Sequence, residues 1–120
     1  MTTAESERLA EVAMQIILHA GNARTQVRQA LTVLEDGDNA AAEQLLNEAK
    51  ADLTRAHQAQ TAIVQAEARG EQTAHSLLFA HAQDTLMTIM TEHGLAQHLV
   101  RLFAKVDQRL TALEAKGESK

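Results

Sequence analysis

The sequence predicts an all-α fold, an antiparallel up-down-up bundle of three helices. The 120-residue chain is dominated by Ala, Leu, Gln and Glu and contains no proline, so strong helix formers run without interruption. Apolar residues also recur at steps of three and four along three long segments, as on one face of a helix. A chain of this length corresponds to one domain, and we expect a single helical domain over residues 1–120.

Two glycine-containing turns separate the three segments. They are "LEDGDNAA" around Gly37 and "EARGEQT" around Gly70. Glycine suits the left-handed position just after a helix end, and Asp38 or Asn39 can cap the helix that follows. Because the connections are short, successive helices are expected to be antiparallel neighbours.

Each segment carries apolar residues at helical spacing. In the first they are Leu9, Val12, Ile16, Ala20, Ala23, Val27, Leu31 and Leu34. In the second they are Ala42, Leu45, Ala49, Leu53, Ala56 and Ile63. The start of the third is expected to supply core residues: Leu77, Leu78, Phe79, Leu86, Met87, Ile89 and Met90. Its far end adds a further stripe: Leu95, Leu99, Leu102, Val106, Leu110 and Leu113.

Several of these helices are apolar on more than one side. The extra apolar residues stand next to stripe residues, as in the pairs Ile16 with Ile17, Leu45 with Leu46, and Leu77 with Leu78. A helix that is apolar on two sides is usually buried on two sides. The pattern therefore favours a homo-oligomer in which the extra faces meet around an axis.

Composition argues against several kinds of site and classes of protein. The chain has no cysteine, which removes disulfides and thiolate metal sites and suits a cytoplasmic protein. No apolar run is long enough to span a membrane, and the first residues do not have the pattern of a signal peptide. A net charge of −5 argues against nucleic-acid binding, which depends on Lys and Arg to neutralise phosphates.

A polar group interrupts the third segment within "SLLFAHAQDTLMTIMTEHG". His81 and Asp84 are three residues apart, so on a helix they lie about 60° from each other, and Thr85 and Thr88 extend the same strip. One interpretation is a solvated face without chemistry; the other is a functional site. No Glu-x-x-His motif occurs, so a carboxylate di-metal bundle is excluded in its usual form. We assign no chemistry to the remaining histidines, His19, His57, His75, His93 and His98.

Three stretches are similar to one protein family. "LLFAHAQDTLMT" resembles the signature "VHAQDHLMT" of the lactose/cellobiose-type IIA components of the bacterial phosphoenolpyruvate-dependent sugar phosphotransferase system. "IILHAGNAR" resembles the family's hydrophobic–x–SGxAR stretch, and the segment from "GDNAAAEQLL" to "EARGE" resembles its second helix and the turn after it. The resemblance covers the chain from about Ser6 to Leu113.

The resemblance implies a homotrimer of three-helix subunits that carries a phosphoryl group. His81 matches the histidine that accepts the group from phospho-HPr. That histidine passes it to a cysteine of a IIB component, which phosphorylates a sugar entering through the membrane IIC component. Gln83 matches a glutamine near the phosphohistidine, partly across a subunit boundary. Asp84 matches an aspartate of which three copies hold one divalent ion, usually Mg²⁺, at the threefold axis.

One residue departs from the family pattern. The family usually has a second histidine directly after the aspartate, and Thr85 stands there in this chain. A hydroxyl can donate a hydrogen bond but cannot supply a cationic donor. Two other functions stay open: a histidine-phosphotransfer signalling domain, although its usual Leu-Lys-Gly pattern is missing after His81, and a non-catalytic helical adaptor.

Overall fold

The computed structural model describes residues 3–71 and 76–118, and they form three α-helices. Helix α1 spans Thr3–Glu35, α2 spans Asn39–Ala68, and α3 spans Leu77–Glu118. No strand occurs within those two described ranges. The predicted all-α class with three helices is confirmed.

The turn between α1 and α2 has the chemistry that the sequence predicts. Gly37 has a φ of 85°, in the left-handed region that suits glycine, and Gly70 after α2 has a φ of 86°. Asp38 is the N-cap of α2, where its carboxylate accepts a hydrogen bond of 3.0 Å from the backbone N–H of Ala41. This bond satisfies one of the free N–H groups at the helix start.

The helix directions follow from cross-helix contacts. Near the middle of α1, Arg24 Nε lies 4.0 Å from Glu92 Oε2 of α3. Near the end of α1, Leu34 lines the same groove as Phe103 of α3, so α1 and α3 run in the same direction. The α1–α2 turn reverses the chain, which makes α2 antiparallel to both. The predicted up-down-up order is therefore confirmed.

The core of the bundle is built from residues that alternate at steps of four and three on all three helices. On α1 they are Leu9, Ala13, Ile16, Ala20, Ala23, Val27, Ala30 and Leu34. On α2 they are Ala42, Leu46, Ala49, Leu53 and Ala56. On α3 they are Ala82, Leu86, Ile89, His93, Ala96 and Val100. This heptad spacing produces the packing of a left-handed coiled coil, and the many alanines allow a close approach of the helices.

Helix α3 buries a narrower set of residues than the sequence predicts. Leu86 and Ile89 are buried as expected, but Leu77 is 84% exposed and Met87 is 50% exposed. The stripe at the far end of α3 is also exposed: Leu95, Leu99, Leu102, Val106, Leu110 and Leu113. Because α3 is apolar on two faces and α1 and α2 pack against only one, the second face has no partner within the described chain.

The molecule is elongated, with dimensions of 77 × 23 × 18 Å. Helix α3 is the longest element, with 42 residues against 33 in α1 and 30 in α2, and at about 1.5 Å per residue it is about 63 Å long. None of the described helices has both the length and the hydropathy that a membrane-crossing helix requires.

Candidate functional site

His81 lies near the start of α3, with an exposed side chain. Ser76 caps this helix: its hydroxyl accepts a hydrogen bond of 3.0 Å from the backbone N–H of Phe79, and its carbonyl accepts one of 3.1 Å from Ala80. Side chains on a helix lean toward its N-terminus, so the His81 ring leans toward the first turn of α3. Backbone N–H groups give that end of the helix a partial positive charge.

Thr85 lies one turn after His81 and is bonded to its backbone. The Thr85 hydroxyl donates a hydrogen bond of 2.9 Å to the main-chain oxygen of His81. Threonine often makes this bond to the carbonyl four residues earlier in a helix. The hydroxyl is thus directed at the helix backbone rather than at the His81 ring.

Gln83 and His81 lie on opposite flanks of α3, about 160° apart around the helix. His81 shares its flank with Glu92, whose carboxylate approaches α1. Gln83 shares its flank with Met90 and Gln97, which line a groove between α3 and α2. Residues two apart on a helix do not face each other, so the two side chains are not brought together within one chain.

Asp84 is exposed on the face of α3 that points away from the core. Within residues 3–71 and 76–118, no three His, Cys, Asp or Glu side chains converge in a way that could hold a metal ion. Asp84 therefore belongs to no such cluster among the described residues.

His93 has a structural role that the sequence analysis missed. Its side chain is buried, at 7% exposure, and Nε2 donates a hydrogen bond of 2.8 Å to the main-chain oxygen of Leu46 on α2. This bond links α3 to α2 inside the core. A signal was available, because His93 continues the buried heptad of Leu86 and Ile89 at the next step of four.

Of the other described histidines, two lie on α1 and α2 and one lies further along α3. His19 Nδ1 is 3.0 Å from Asp52 Oδ1, a part-buried contact that joins α1 to α2. His57 is exposed and lines the groove between α2 and α3, and His98 is exposed at the far part of α3. His75 lies outside the described residues.

Comparison with known proteins shows which family this architecture represents. Residues 11–104 match the family described as "PTS system, Lactose/Cellobiose specific IIA subunit". The lichenan-specific phosphotransferase enzyme IIA component of Bacillus subtilis is 38% identical over 104 residues, which cover 87% of this chain and 94% of the relative. The chain belongs to the lactose/cellobiose-specific IIA family of the phosphotransferase system.

Solved structures support the same assignment. PtcA from S. mutans superposes with a TM-score of 0.81 at 39% identity, over 87% of this chain and 99% of that one. A IIA(Chitobiose) chain, from its complex with HPr in the Escherichia coli phosphotransferase system, superposes with a TM-score of 0.70 at 35% identity. That match covers 82% of this chain and 96% of the E. coli chain.

As a IIA component of the lactose/cellobiose/chitobiose class, the protein is a phosphotransferase component. The family match contains all four residues of the candidate site, His81, Gln83, Asp84 and Thr85. It ends at residue 104, before the end of α3 at Glu118.

Proposed function

We propose that this IIA component is a cytoplasmic phosphoryl carrier. His81 accepts a phosphoryl group from phospho-HPr and passes it to a cysteine of a IIB component during uptake of a disaccharide. The observation that carries the proposal is the exposed His81 at the start of α3, inside the "HAQD" motif, in a chain of the IIA family. The E. coli relative solved in complex with HPr supports HPr as the donor.

Each transfer exchanges one bond to phosphorus for another. An unprotonated ring nitrogen of His81 attacks the phosphorus of phospho-HPr, and the bond between that phosphorus and the donor breaks. The IIB thiolate then attacks the same phosphorus, and the bond to His81 breaks and returns the lone pair to the ring. Such a reaction depends on in-line positioning and on stabilisation of spread negative charge. An exposed imidazole is accessible to both partners in turn.

The start of α3 favours the phosphorylated state of His81. A phosphoryl group on the ring lies toward the first turn of the helix, where the backbone N–H groups carry a partial positive charge. The backbone N–H groups of Phe79 and Ala80 already donate hydrogen bonds to the hydroxyl and the carbonyl of Ser76. The dipole of the whole helix still acts on the added negative charge.

The homotrimer that the family resemblance implies has a candidate interface on α3. Exposed residues on its outer face repeat at intervals of eleven: Asp84, Thr88 and Thr91, and then Leu95, Leu99 and Leu102. An eleven-residue repeat corresponds to about 3.67 residues per turn, so these residues form a nearly straight line along the helix. We propose that the α3 helices of three copies meet along this line.

In such a trimer, Gln83 acts on the His81 of a neighbouring copy. The two side chains occupy opposite flanks of α3, and around a closed ring one flank of each subunit faces the other flank of the next. Gln83 then donates an amide N–H to a phosphoryl oxygen without adding charge. The opposite placement of the two residues within one chain supports this assignment.

Asp84 fits a shared ion site. It is exposed at the start of the outer line of α3, and each chain offers one carboxylate there. Three converging carboxylates repel one another unless a proton or cation is taken up. Hard oxygen ligands suit Mg²⁺, so we propose that the three Asp84 side chains hold one such ion, whose positive charge neutralises them.

Thr85 makes this site different from the family pattern. The hydroxyl is bonded to the backbone of His81 and cannot supply a cationic donor to a phosphoryl group. We propose that phosphoryl transfer through this chain depends less on residue 85 than it does where a histidine stands there.

Reconstitution with purified components tests the proposed function. The protein is mixed with labelled phosphoenolpyruvate, enzyme I and HPr, and a IIB component is then added. One phosphate per chain, lost on addition of the IIB component, is the expected result. A signalling domain or an adaptor would not be labelled from phospho-HPr, so an unlabelled protein contradicts the proposal, as does a label that is kept after the IIB component is added.

A further inference from the structure

A groove of about 420 Å³ lies between α2 and α3. Lys50 and His57 stand on its α2 wall, and in the part of the chain that the structure describes no acidic residue lines it. The whole chain, by contrast, has a net charge of −5. A groove that is free of carboxylates in an acidic protein favours an anionic group.

The His57 side chain has no partner in this groove. Its ring forms no hydrogen bond or ion pair with any residue in the ranges 3–71 and 76–118, and it is exposed. Other polar groups of the groove are already used: the Thr54 hydroxyl donates a hydrogen bond of 2.9 Å to the main-chain oxygen of Lys50. An imidazole has one N–H donor when neutral and two when cationic. His57 therefore offers a free donor to a ligand.

The hydrogen bond between His93 and the main-chain oxygen of Leu46 fixes how α2 and α3 are aligned along the bundle. The two helices are antiparallel, so each step forward along α2 corresponds to one step back along α3. His57 is eleven residues after Leu46, and Ala82 is eleven residues before His93, and both intervals are about 16 Å long. His57 thus lies at the level of Ala82, directly after His81.

His57 and Gln83 lie on the same flank of the bundle. His57 is on the side of α2 that lines the groove. Gln83 shares its side of α3 with Met90 and Gln97, which line the same groove. A neighbouring copy that packs against this flank therefore meets both side chains.

In the proposed homotrimer, this flank of each copy faces the His81 flank of the next copy. Rotation about an axis parallel to the helices leaves the level of every residue unchanged. The His81 of the neighbouring copy is thus at the same level as His57. The groove brings the free His57 donor toward the proposed phosphoryl acceptor of another copy.

A phosphoryl group on His81 carries negative charge that Gln83 and Thr85 cannot neutralise. Both side chains are uncharged, and the Thr85 hydroxyl is bonded to the main-chain oxygen of His81 at 2.9 Å. A cationic imidazole donates a stronger, charge-assisted hydrogen bond to a phosphate oxygen. Phosphoryl transfer depends mainly on positioning and on stabilisation of spread negative charge. His57 supplies the donor that residue 85 does not.

We propose that His57 is a catalytic residue that acts across the subunit boundary. Its imidazole N–H donates a hydrogen bond to an oxygen of the phosphoryl group that the His81 of the neighbouring copy accepts from phospho-HPr. The bonds to phosphorus form and break as described above, and His57 keeps its proton and stabilises the charge on the phosphoryl oxygens. The assignment rests on the proposed function and on the proposed homotrimer, and it adds a residue of α2 to the site.

Single substitutions separate a local donor from the general charge of the groove. His57→Leu removes the donor, and His57→Gln keeps a neutral one. Lys50→Leu removes a cation from the same wall, about 10 Å away along α2, and is the matched control. Rates are measured by rapid quench with phospho-HPr, and thermal midpoints by circular dichroism check that each variant is folded.

We expect His57→Leu to slow transfer to His81 by about tenfold, as the loss of a charge-assisted hydrogen bond predicts. His57→Gln should slow transfer less than His57→Leu, and Lys50→Leu should transfer at the wild-type rate. Every variant should still take up one phosphate per chain at the end of the reaction, because His81 is intact in all of them.

Subunit exchange tests the action across the boundary. His57→Leu chains are mixed with an excess of His81→Ala chains, so that an intact His57 stands next to the intact His81 of a His57→Leu chain. The rate per intact His81 should then return toward that of wild type. Chains that carry both His57→Leu and His81→Ala are the control, since they supply no His57 and should give no gain.

The outcomes separate the role of His57 from the proposed function. A His57→Leu protein that transfers at the wild-type rate overturns the role of His57, as does a Lys50→Leu protein that is equally slow. A mixture with His81→Ala chains that shows no gain overturns it as well. In all three cases His81 is still labelled, and the proposed function stands. A wild-type protein that phospho-HPr never labels overturns both.

Discussion

The Thr85 hydroxyl donates a hydrogen bond of 2.9 Å to the main-chain oxygen of His81. This bond holds the hydroxyl against the helix, in the position where the signature that the sequence resembles has a histidine. The residue that departs from the family pattern is therefore connected to the proposed phosphoryl acceptor through the backbone and not through the ring.

Replacing Thr85 by histidine is expected to keep or raise the transfer rate. A charged imidazole can donate a hydrogen bond to a phosphoryl oxygen, and a bond worth about 1 kcal/mol corresponds to a gain of about fivefold in rate. Thr85→Val, which removes only the hydroxyl, is the matched control and should leave the rate unchanged. Rates are measured by rapid quench with phospho-HPr. A Thr85→His protein that is folded but transfers the phosphoryl group more slowly would show that this site does not follow the family pattern.

His81 is expected to be the only phosphorylated residue. His81→Ala should abolish labelling from phospho-HPr, because no other described histidine of α3 lies exposed near its start. His98→Ala, which changes an exposed histidine further along α3, is the control and should label fully. Mass spectrometry of the intact protein reports the added phosphate, and label on the His81→Ala protein contradicts the assignment.

Mixing a variant that transfers slowly with a variant that lacks the acceptor tests whether Gln83 acts across a subunit boundary. Gln83→Leu is expected to slow transfer by about fivefold, since a hydrogen bond of about 1 kcal/mol to the phosphoryl group is lost. In mixed trimers, a His81→Ala chain supplies an intact Gln83 next to the intact His81 of a Gln83→Leu chain. The rate per active histidine should then rise above that of Gln83→Leu alone. If the rate does not rise after the subunits exchange, Gln83 does not act on the His81 of a neighbouring copy.

Asp84 is expected to govern assembly. Asp84→Lys brings like charges together without a counter-ion and should break the trimer, whereas Asp84→Leu removes the charges and adds apolar contact, a change that is often neutral or stabilising. Light scattering with and without a chelator measures the mass of each protein. The wild-type trimer should dissociate more readily when the chelator is present, and the Asp84→Leu trimer should not. An Asp84→Lys protein that remains fully trimeric contradicts the axial position.

His93 is expected to contribute to stability and not to transfer. His93→Ala removes the hydrogen bond to Leu46 and leaves a cavity in the core, with an expected loss of about 2–4 kcal/mol. Its thermal midpoint should fall by several degrees or more, measured by circular dichroism at fixed protein concentration. His98→Ala, at an exposed position, should change stability by less than about 0.5 kcal/mol. Equal midpoints for the two variants would contradict this role.

Local chemistry in the sequence determined the elements of the fold. Uninterrupted helix formers, with glycine at Gly37 and Gly70, determined where the helices end, because glycine adopts positive φ with little strain. The carboxylate of Asp38 determined the start of α2 by capping it. The position of His81 near the start of α3 also follows from the chain alone, whereas its role as the phosphoryl acceptor stays a prediction.

Tertiary structure decided which apolar face of each helix is buried. Helix α3 has two apolar stripes, the heptad through Leu86 and Ile89 and the eleven-residue line through Leu95. Periodicity alone does not predict which of the two is buried. The heptad is buried because its spacing matches that of the buried residues of α1 and α2. Each helix of the bundle can present only one such face to the other two helices. For the same reason, only the packed bundle showed that His93 reaches Leu46 and that His81 and Gln83 lie on opposite flanks: these relationships depend on which side of α3 turns inward.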